Sequence, residues 1–197
     1  MIFQTLDNKE ECVGVYCNNE LHFDAVPEGL THTWNYSAFL HDREDMEYAF
    51  LYAQKPLEGT CPRHLAEEWG TINGRMKAFL RAFTAAKIDL TENCFFDLVN
   101  ERFLREYCEM KNKITEYVFE NYHKPENYDF LVDLTKVLHD IKHRKLQVDP
   151  WALRDLMHQK RTRDFTKKLS HISLSCDYNI FGTKTGRLTT KKNSFPI

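Results

Sequence analysis

Between Leu65 and Ile141 three stretches repeat apolar side chains every third or fourth residue, a spacing that suits one face of an α-helix and no strand. Leu65, Trp69, Ile72, Met76, Phe79, Leu80 and Phe83 place an amphipathic helix on "PRHLAEEWGTINGRMKAFLRAF", with Pro62 near its first turn. Phe103, Leu104, Tyr107, Lys111, Ile114, Val118 and Phe119 mark a second, ending near Tyr122 ahead of Pro125. Leu131, Leu134, Val137, Leu138 and Ile141 mark a third. Asp149 followed by Pro150 reads as a cap and first turn for a last helix over "WALRDLMHQKRTRDFTKKL". Its apolar residues, Trp151, Leu153, Leu156, Met157, Phe165 and Leu169, are expected to leave one face to Arg161, Arg163, Lys167 and Lys168.

Before these helices the pattern differs. "ECVGVYCNNELHF" alternates around Asn18-Asn19 and reads as a β-hairpin. "DAVPEGLTHTWNYS" reads as a linker, and Asp42 and Asp45 as the opening of a helix over "REDMEYAFLYAQ" that Pro56 ends. The expected fold is therefore mainly α with a small N-terminal β hairpin, an α+β class. We divide it into an N-terminal region, residues 1–125, and a helical region, residues 126–197.

Charge separates the chain more sharply than hydropathy does. Residues 142–197 carry 13 Lys and Arg against four Asp, a net +9, whereas residues 1–141 are at -11. One strongly positive end on a nearly neutral chain points to a polyanion contact. No apolar run approaches the roughly 18 residues of a membrane span, and "MIFQTLDNKEE" lacks a basic leader and apolar core. The six cysteines show no C-x-x-C pair and read as free buried thiols. These features predict a soluble, cytoplasmic protein with no membrane partner.

Candidate chemistry is sparse. "HDIKH" sets His139 and His143 four apart, the spacing of helical zinc pairs, but Lys142, Arg144 and Lys145 would repel a dication. "GTKTGR" is not a triphosphatase loop, because Gly182 and Gly186 are four apart, Arg187 replaces lysine and Leu188 replaces the hydroxyl. No nucleophile and base form a recognisable set, and no metal ligand or catalytic residue is assigned. What remains is the loop itself. Glycines let backbone approach phosphates, Thr183, Thr185, Thr189 and Thr190 offer short hydrogen bonds, and Lys184, Lys191 and Lys192 supply charge. Arg187 has the reach to enter a minor groove, where purine N3 and pyrimidine O2 accept at every pair.

At these residues the sequence resembles family A DNA polymerases, the bacterial DNA polymerase I type, and their bacteriophage members in particular. "YNIFGTKTGRLTTKKNSFPI" is similar to that family's T-x-T-G-R-L-[ST]-[ST] block. "VLHDIKHRKLQVDPWALRDL" is similar to its helix-turn-helix, with Leu146, Val148 and Asp149 at the apolar and acidic positions and Lys145 where glycine is usual. The resemblance covers about residues 127–197. It implies that Arg187 contacts the primer–template minor groove, with Thr185 and Gly186 on its supporting turn. It also implies a thumb-like lead-in to the palm, shorter than in the bacterial enzymes. The exonuclease spacing D-x-E is missing from "TLDNKEECVGVY". The palm carboxylates that hold two magnesium ions are expected beyond Ile197. Partners implied are primer–template DNA and a palm and fingers polypeptide or further sequence. A non-enzymatic nucleic-acid-binding accessory protein and an acidic helical scaffold with an incidental basic tail are the alternatives.

Overall fold

The computed structural model describes residues 1–8, 12–23, 27–90, 93–144, 146, 149–170, 176–183 and 185–191. Its contacts fall into two compact units, Met1–Asp133 and Leu134–Ile197, divided within one helix.

The first unit opens on a three-stranded antiparallel sheet, β1 (Gln4–Asn8), β2 (Cys12–Cys17) and β3 (Glu20–His22), in sequence order. Asn18 and Asn19, at φ 49° and 64°, close β2 onto β3 as a two-residue turn. Two left-handed residues match the twist of the flanking strands, and asparagine tolerates that region better than most side chains. The hairpin is therefore as expected, while β1 is an addition. It pairs with β2 from Gln4 opposite Tyr16 to Asn8 opposite Cys12.

The stretch expected to be a linker is structural. β4 (His32–Thr33) pairs in parallel with β5 (Glu47–Tyr48), and Leu30, Trp34, Tyr36 and Ser37 are buried. This pairing overturns the helix expected from Asp42. Glu47 donates its N–H to the Thr31 carbonyl at 2.8 Å, so the chain is extended there. Helix α1 is confined to Ala49–Ala53, with Gln54 in the left-handed conformation at its end. A short α2 (Leu57–Thr60) follows.

Two long antiparallel-capable helices carry the core. A single 3-10 turn at Arg63–Leu65 leads into α3 (Ala66–Ala85). After α4 (Phe95–Leu98), α5 spans Glu101–Asn121, with the Asn100 side chain accepting from the Arg102 N–H. Trp69 and Ile72 of α3 meet Met110, Ile114 and Val118 of α5, with Trp34, Ala49 and Ala53 completing the cluster. Below it Met76, Val99 and Leu104 are enclosed by Phe79, Phe83, Phe95 and Phe103. Polar bonds tie the sheet to α5: Gln4 Nε2 donates to Asn112 Oδ1 and Thr115 Oγ1, each at 3.0 Å, and Tyr16 OH to Glu109 at 3.0 Å. Lys111 is buried among them, its ammonium 5.6 Å from the centre of the Tyr107 ring. Burial holds its pKa below the ordinary lysine value.

Cys17, Cys61, Cys108 and Cys176 are free thiols, but Cys94 is disulfide-bonded. The all-thiol expectation is thus wrong at Cys94, since spacing in sequence does not reveal which sulfurs a fold brings together. A disulfide also removes one support for a reducing, cytoplasmic setting. Burial pushes the Cys108 thiol up to about 12, so it is an inert core group. Among the described residues no helix is long and apolar enough to cross a membrane.

Helix α6 (Tyr128–His143) begins in the first unit, where the Tyr128 hydroxyl accepts from the Tyr48 N–H at 2.9 Å. Its later turns belong to the second unit. There the last expected helix is two elements. Asp149 accepts from the Trp151 N–H at 2.9 Å and Pro150 takes the first position, but the segment they open, Pro150–Leu156, is a 3-10 helix. The α-helix proper, α7, runs from Lys160 to Ser170. A two-stranded antiparallel pair follows, β6 (Tyr178–Asn179) with β7 (Thr189–Thr190).

Candidate nucleic-acid interface

The loop between β6 and β7 is built by its own side chains. Tyr178 lies opposite Thr190 and Asn179 opposite Thr189. Lys191 extends the pairing, its N–H donating to the Asp177 carbonyl at 2.8 Å and its ammonium meeting the Asp177 carboxylate at 3.0 Å. At the loop's entry Asn179 Oδ1 accepts from the Phe181 N–H at 3.1 Å, the side-chain turn that asparagine favours. Gly182 then passes so close to Thr189 that a Cβ there would run into its hydroxyl oxygen. Only glycine fits.

Thr183 organises the rest. Its hydroxyl accepts from the Arg187 N–H at 2.9 Å and donates to the Arg187 carbonyl at 3.1 Å. One side chain thereby fixes both backbone groups of the residue four positions on. Gly186, at φ +72°, makes the left-handed bend that returns the chain to Thr183, and its N–H faces the Thr183 carbonyl at 3.4 Å. The Arg187 backbone is held while its side chain is exposed, and its guanidinium has no partner among the described residues.

The expected site residues thus divide by what they are already doing. Thr183, Thr185, Gly186, Arg187 and Thr189 are gathered at one loop, with Thr190 exposed at its base. Thr183 uses its hydroxyl internally, and Thr185 Oγ1 lies 3.4 Å from it. Lys191 is paired with Asp177. Lys184 and Lys192 lie outside the described residues, as does the Lys168 side chain. On α7, Arg161 and Lys167 are exposed. Arg163 turns back instead, donating through Nη1 to the carbonyls of Met157 at 3.1 Å and His158 at 2.9 Å. It caps the 3-10 segment and is not a free phosphate ligand through that nitrogen. Of the expected set, Arg187 combines a fixed backbone with an uncommitted charged fork.

Trp151, Leu156 and Phe165, expected among the apolar residues opposite the cationic face of the last helix, are all exposed. Trp151 is 75% exposed, and the Arg154 guanidinium stands 6.0 Å from its ring centre. For Trp151 and Leu156 the 3-10 geometry made the difference, because three residues per turn redistribute side chains that an α-helix would align, whereas Phe165 lies on α7 itself.

Two clefts in the first unit are formed by described residues. One, of about 640 Å³, is lined by Glu67, Thr71, Arg75, Glu106, Glu109 and Lys113 between α3 and α5. Arg75 and Arg102 both bind Glu106 there, and the Arg75 hydrogen bond is the main reason its carboxyl titrates below the usual range. The other, of about 390 Å³, is edged by Glu44, Asp45, Glu47, Asp129 and Asp133, with Lys124 bonded to Glu47. Neither aligns a nucleophile with a base. Among the described residues no three His, Cys, Asp or Glu side chains converge as metal ligands. His143 uses Nδ1 on the His139 carbonyl at 2.8 Å.

No protein-family model, curated protein or solved structure matches this chain.

Proposed function

We propose that the second unit grips a nucleic-acid duplex through the β6–β7 loop, with Arg187 in the minor groove. More particularly, the chain serves as the DNA-binding N-terminal portion of a DNA-directed DNA polymerase of family A, holding primer–template for nucleotidyl transfer carried out elsewhere. The observation that carries this reading is the Thr183 clamp. It holds the Arg187 backbone by two hydrogen bonds and leaves the guanidinium exposed, with no partner among the described residues. A planar fork so placed can bridge minor-groove acceptors, which are present at every base pair, and so can sense pair geometry without reading sequence. The surrounding net +9 supplies the sequence-independent phosphate attraction.

In this reading the magnesium-dependent nucleotidyl transfer belongs to the palm, outside the part played by this chain. Its own contribution is to bind and orient.

The test is duplex binding by labelled primer–template, followed by primer extension with palm and fingers supplied. Arg187→Ala should weaken both by about 1–3 kcal/mol, the range for a side-chain contact to a base edge. Lys191→Ala should cost less than 1 kcal/mol, since that ammonium sits in an exposed ion pair with Asp177. Arg187→Lys should not restore function, because an ammonium keeps the charge without the fork. Equal effects of the two alanine variants would reduce the loop to a cationic turn and remove the basis of the reading.

A further inference from the structure

The chain has three tryptophans, and the fold treats one of them unlike the others. Trp34 and Trp69 are buried in the first unit at 4% and 5% exposure, whereas Trp151 is 75% exposed. Its backbone is held all the same. Asp149 holds the Trp151 N–H, Pro150 restricts the turn before it, and Arg154 stands over the ring. The corner that follows is braced from α7. Arg163 binds the carbonyls of Met157 and His158, and the Thr166 hydroxyl contacts Met157 sulfur at 3.7 Å. Exposed Arg154, Lys160 and Arg161 surround this corner, with exposed Phe165 a turn beyond Arg161.

A large aromatic ring held in water by a braced backbone, amid cations, suits one kind of ligand. It must be polyanionic, to answer the net +9 of residues 142–197. It must also present flat π-faces. Duplex DNA meets the first condition but keeps its bases stacked inside, whereas a single strand meets both. We propose that Trp151, with Arg154, is a stacking platform for unpaired bases of single-stranded nucleic acid, whose phosphates run along Lys160 and Arg161. The proposal rests on the nucleic-acid reading above and adds a second strand state at a site distinct in sequence from Arg187.

The buried pair of tryptophans makes the test direct. Emission from the whole 197-residue chain is titrated with a dT oligomer at low salt, alongside anisotropy of the same oligomer carrying a label. Quenching by the oligomer is expected, and Trp151→Ala should abolish it and weaken dT binding at least about fivefold, the lower end for one base–aromatic stack. Trp151→Phe should recover most of that affinity while the quench stays lost. The same alanine variant should lose dT affinity more than duplex affinity, and its unfolding midpoint in urea should be unchanged, since the ring is exposed. Retained dT affinity in Trp151→Ala, with duplex binding still dependent on Arg187, would overturn the platform and leave the duplex reading standing. Absence of binding to either form of DNA would overturn both. A blue shift with phosphatidylserine vesicles but no response to dT would assign the ring to an anionic membrane surface and overturn the proposal.

Discussion

Met1–Asp133 and Leu134–Ile197 both expose some large apolar side chains, but they differ in how many they bury. The first unit holds nearly all of the described residues that are both apolar and buried; Leu138 and Cys176 are those in the second. The second unit exposes Val137, Leu146, Trp151, Leu156, Phe165 and Leu188, and places positive charge among them. In the first unit the polar groups that enter the core do so to join elements, as Gln4 and Tyr16 do with α5. In the second they shape local backbone, as Asp149, Arg163 and Thr183 do. One region derives its order from burial, the other from short-range hydrogen bonds. The same sequence therefore holds a region with a buried core and one whose apolar and cationic side chains stand in solvent.

Core truncation should separate the two regions most strongly. Ile114 is fully buried between α3 and α5, so Ile114→Ala should destabilise the protein by about 2–5 kcal/mol, through lost burial and a residual cavity. Leu156→Ala, at a 46% exposed position, should change stability by no more than about 0.5 kcal/mol. Urea unfolding of both variants checks this, and comparable losses would mean that the second unit has a core of its own.

Next in size is Gly182→Ala. The added methyl group would meet the Thr189 side chain, so the β6–β7 pairing must open at an overpacking cost of about 1–3 kcal/mol. The damage should stay local: amide exchange should accelerate in β6 and β7 and duplex affinity should fall, while α3 and α5 remain protected. Adding Thr189→Ala should recover part of the loss. Spread of the effect into the first unit would break the contrast drawn here.

The smallest effect is expected at Lys111. Its pKa is lowered by burial, so the unfolded chain binds the proton more tightly than the native one. Stability from this group is full above the unfolded value of about 10.4 and is lost as pH falls through the lowered native value. Lys111→Met keeps the volume and removes the charge. It should raise stability at pH 7 by about 1 kcal/mol, the low end for a poorly partnered buried polar group, and flatten the pH dependence just below 10.4. An unchanged slope in that window would show the ammonium to be well solvated in place.

The three long helices were legible because their apolar residues recur at helical spacing, and the hairpin because Asn18-Asn19 suits a two-residue turn. What the sequence concealed is non-local. β5 removes residues 47–48 from a plausible helix because the Thr31 carbonyl, sixteen positions earlier, takes the Glu47 N–H. β4 and β5 have two residues each, too few for any period to register. In the loop, Arg187 and its glycines could be singled out by residue type. That Thr183 is spent on the Arg187 backbone, Lys191 on Asp177 and Arg163 on two carbonyls could not, since each depends on geometry across several residues. Trp151 was visible as a residue but not as an exposed one, because a 3-10 segment and an α-helix begin with the same cap.

The bond from Gln4 to Thr115 also sets a condition on time. It spans 111 residues of sequence, and Gln4 is wholly buried once it forms. During synthesis β1, β2 and β3 emerge early and can pair, yet the face bearing Gln4, Leu6 and Tyr16 finds no cover until α5 has been made. Closing so long a loop is slow relative to helix formation, because chain entropy is lost before any contact compensates for it. Folding of the first unit should therefore be governed by the docking of α5 onto a waiting sheet, and a nascent chain halted before Thr115 should display that sheet's apolar face to any chaperone nearby.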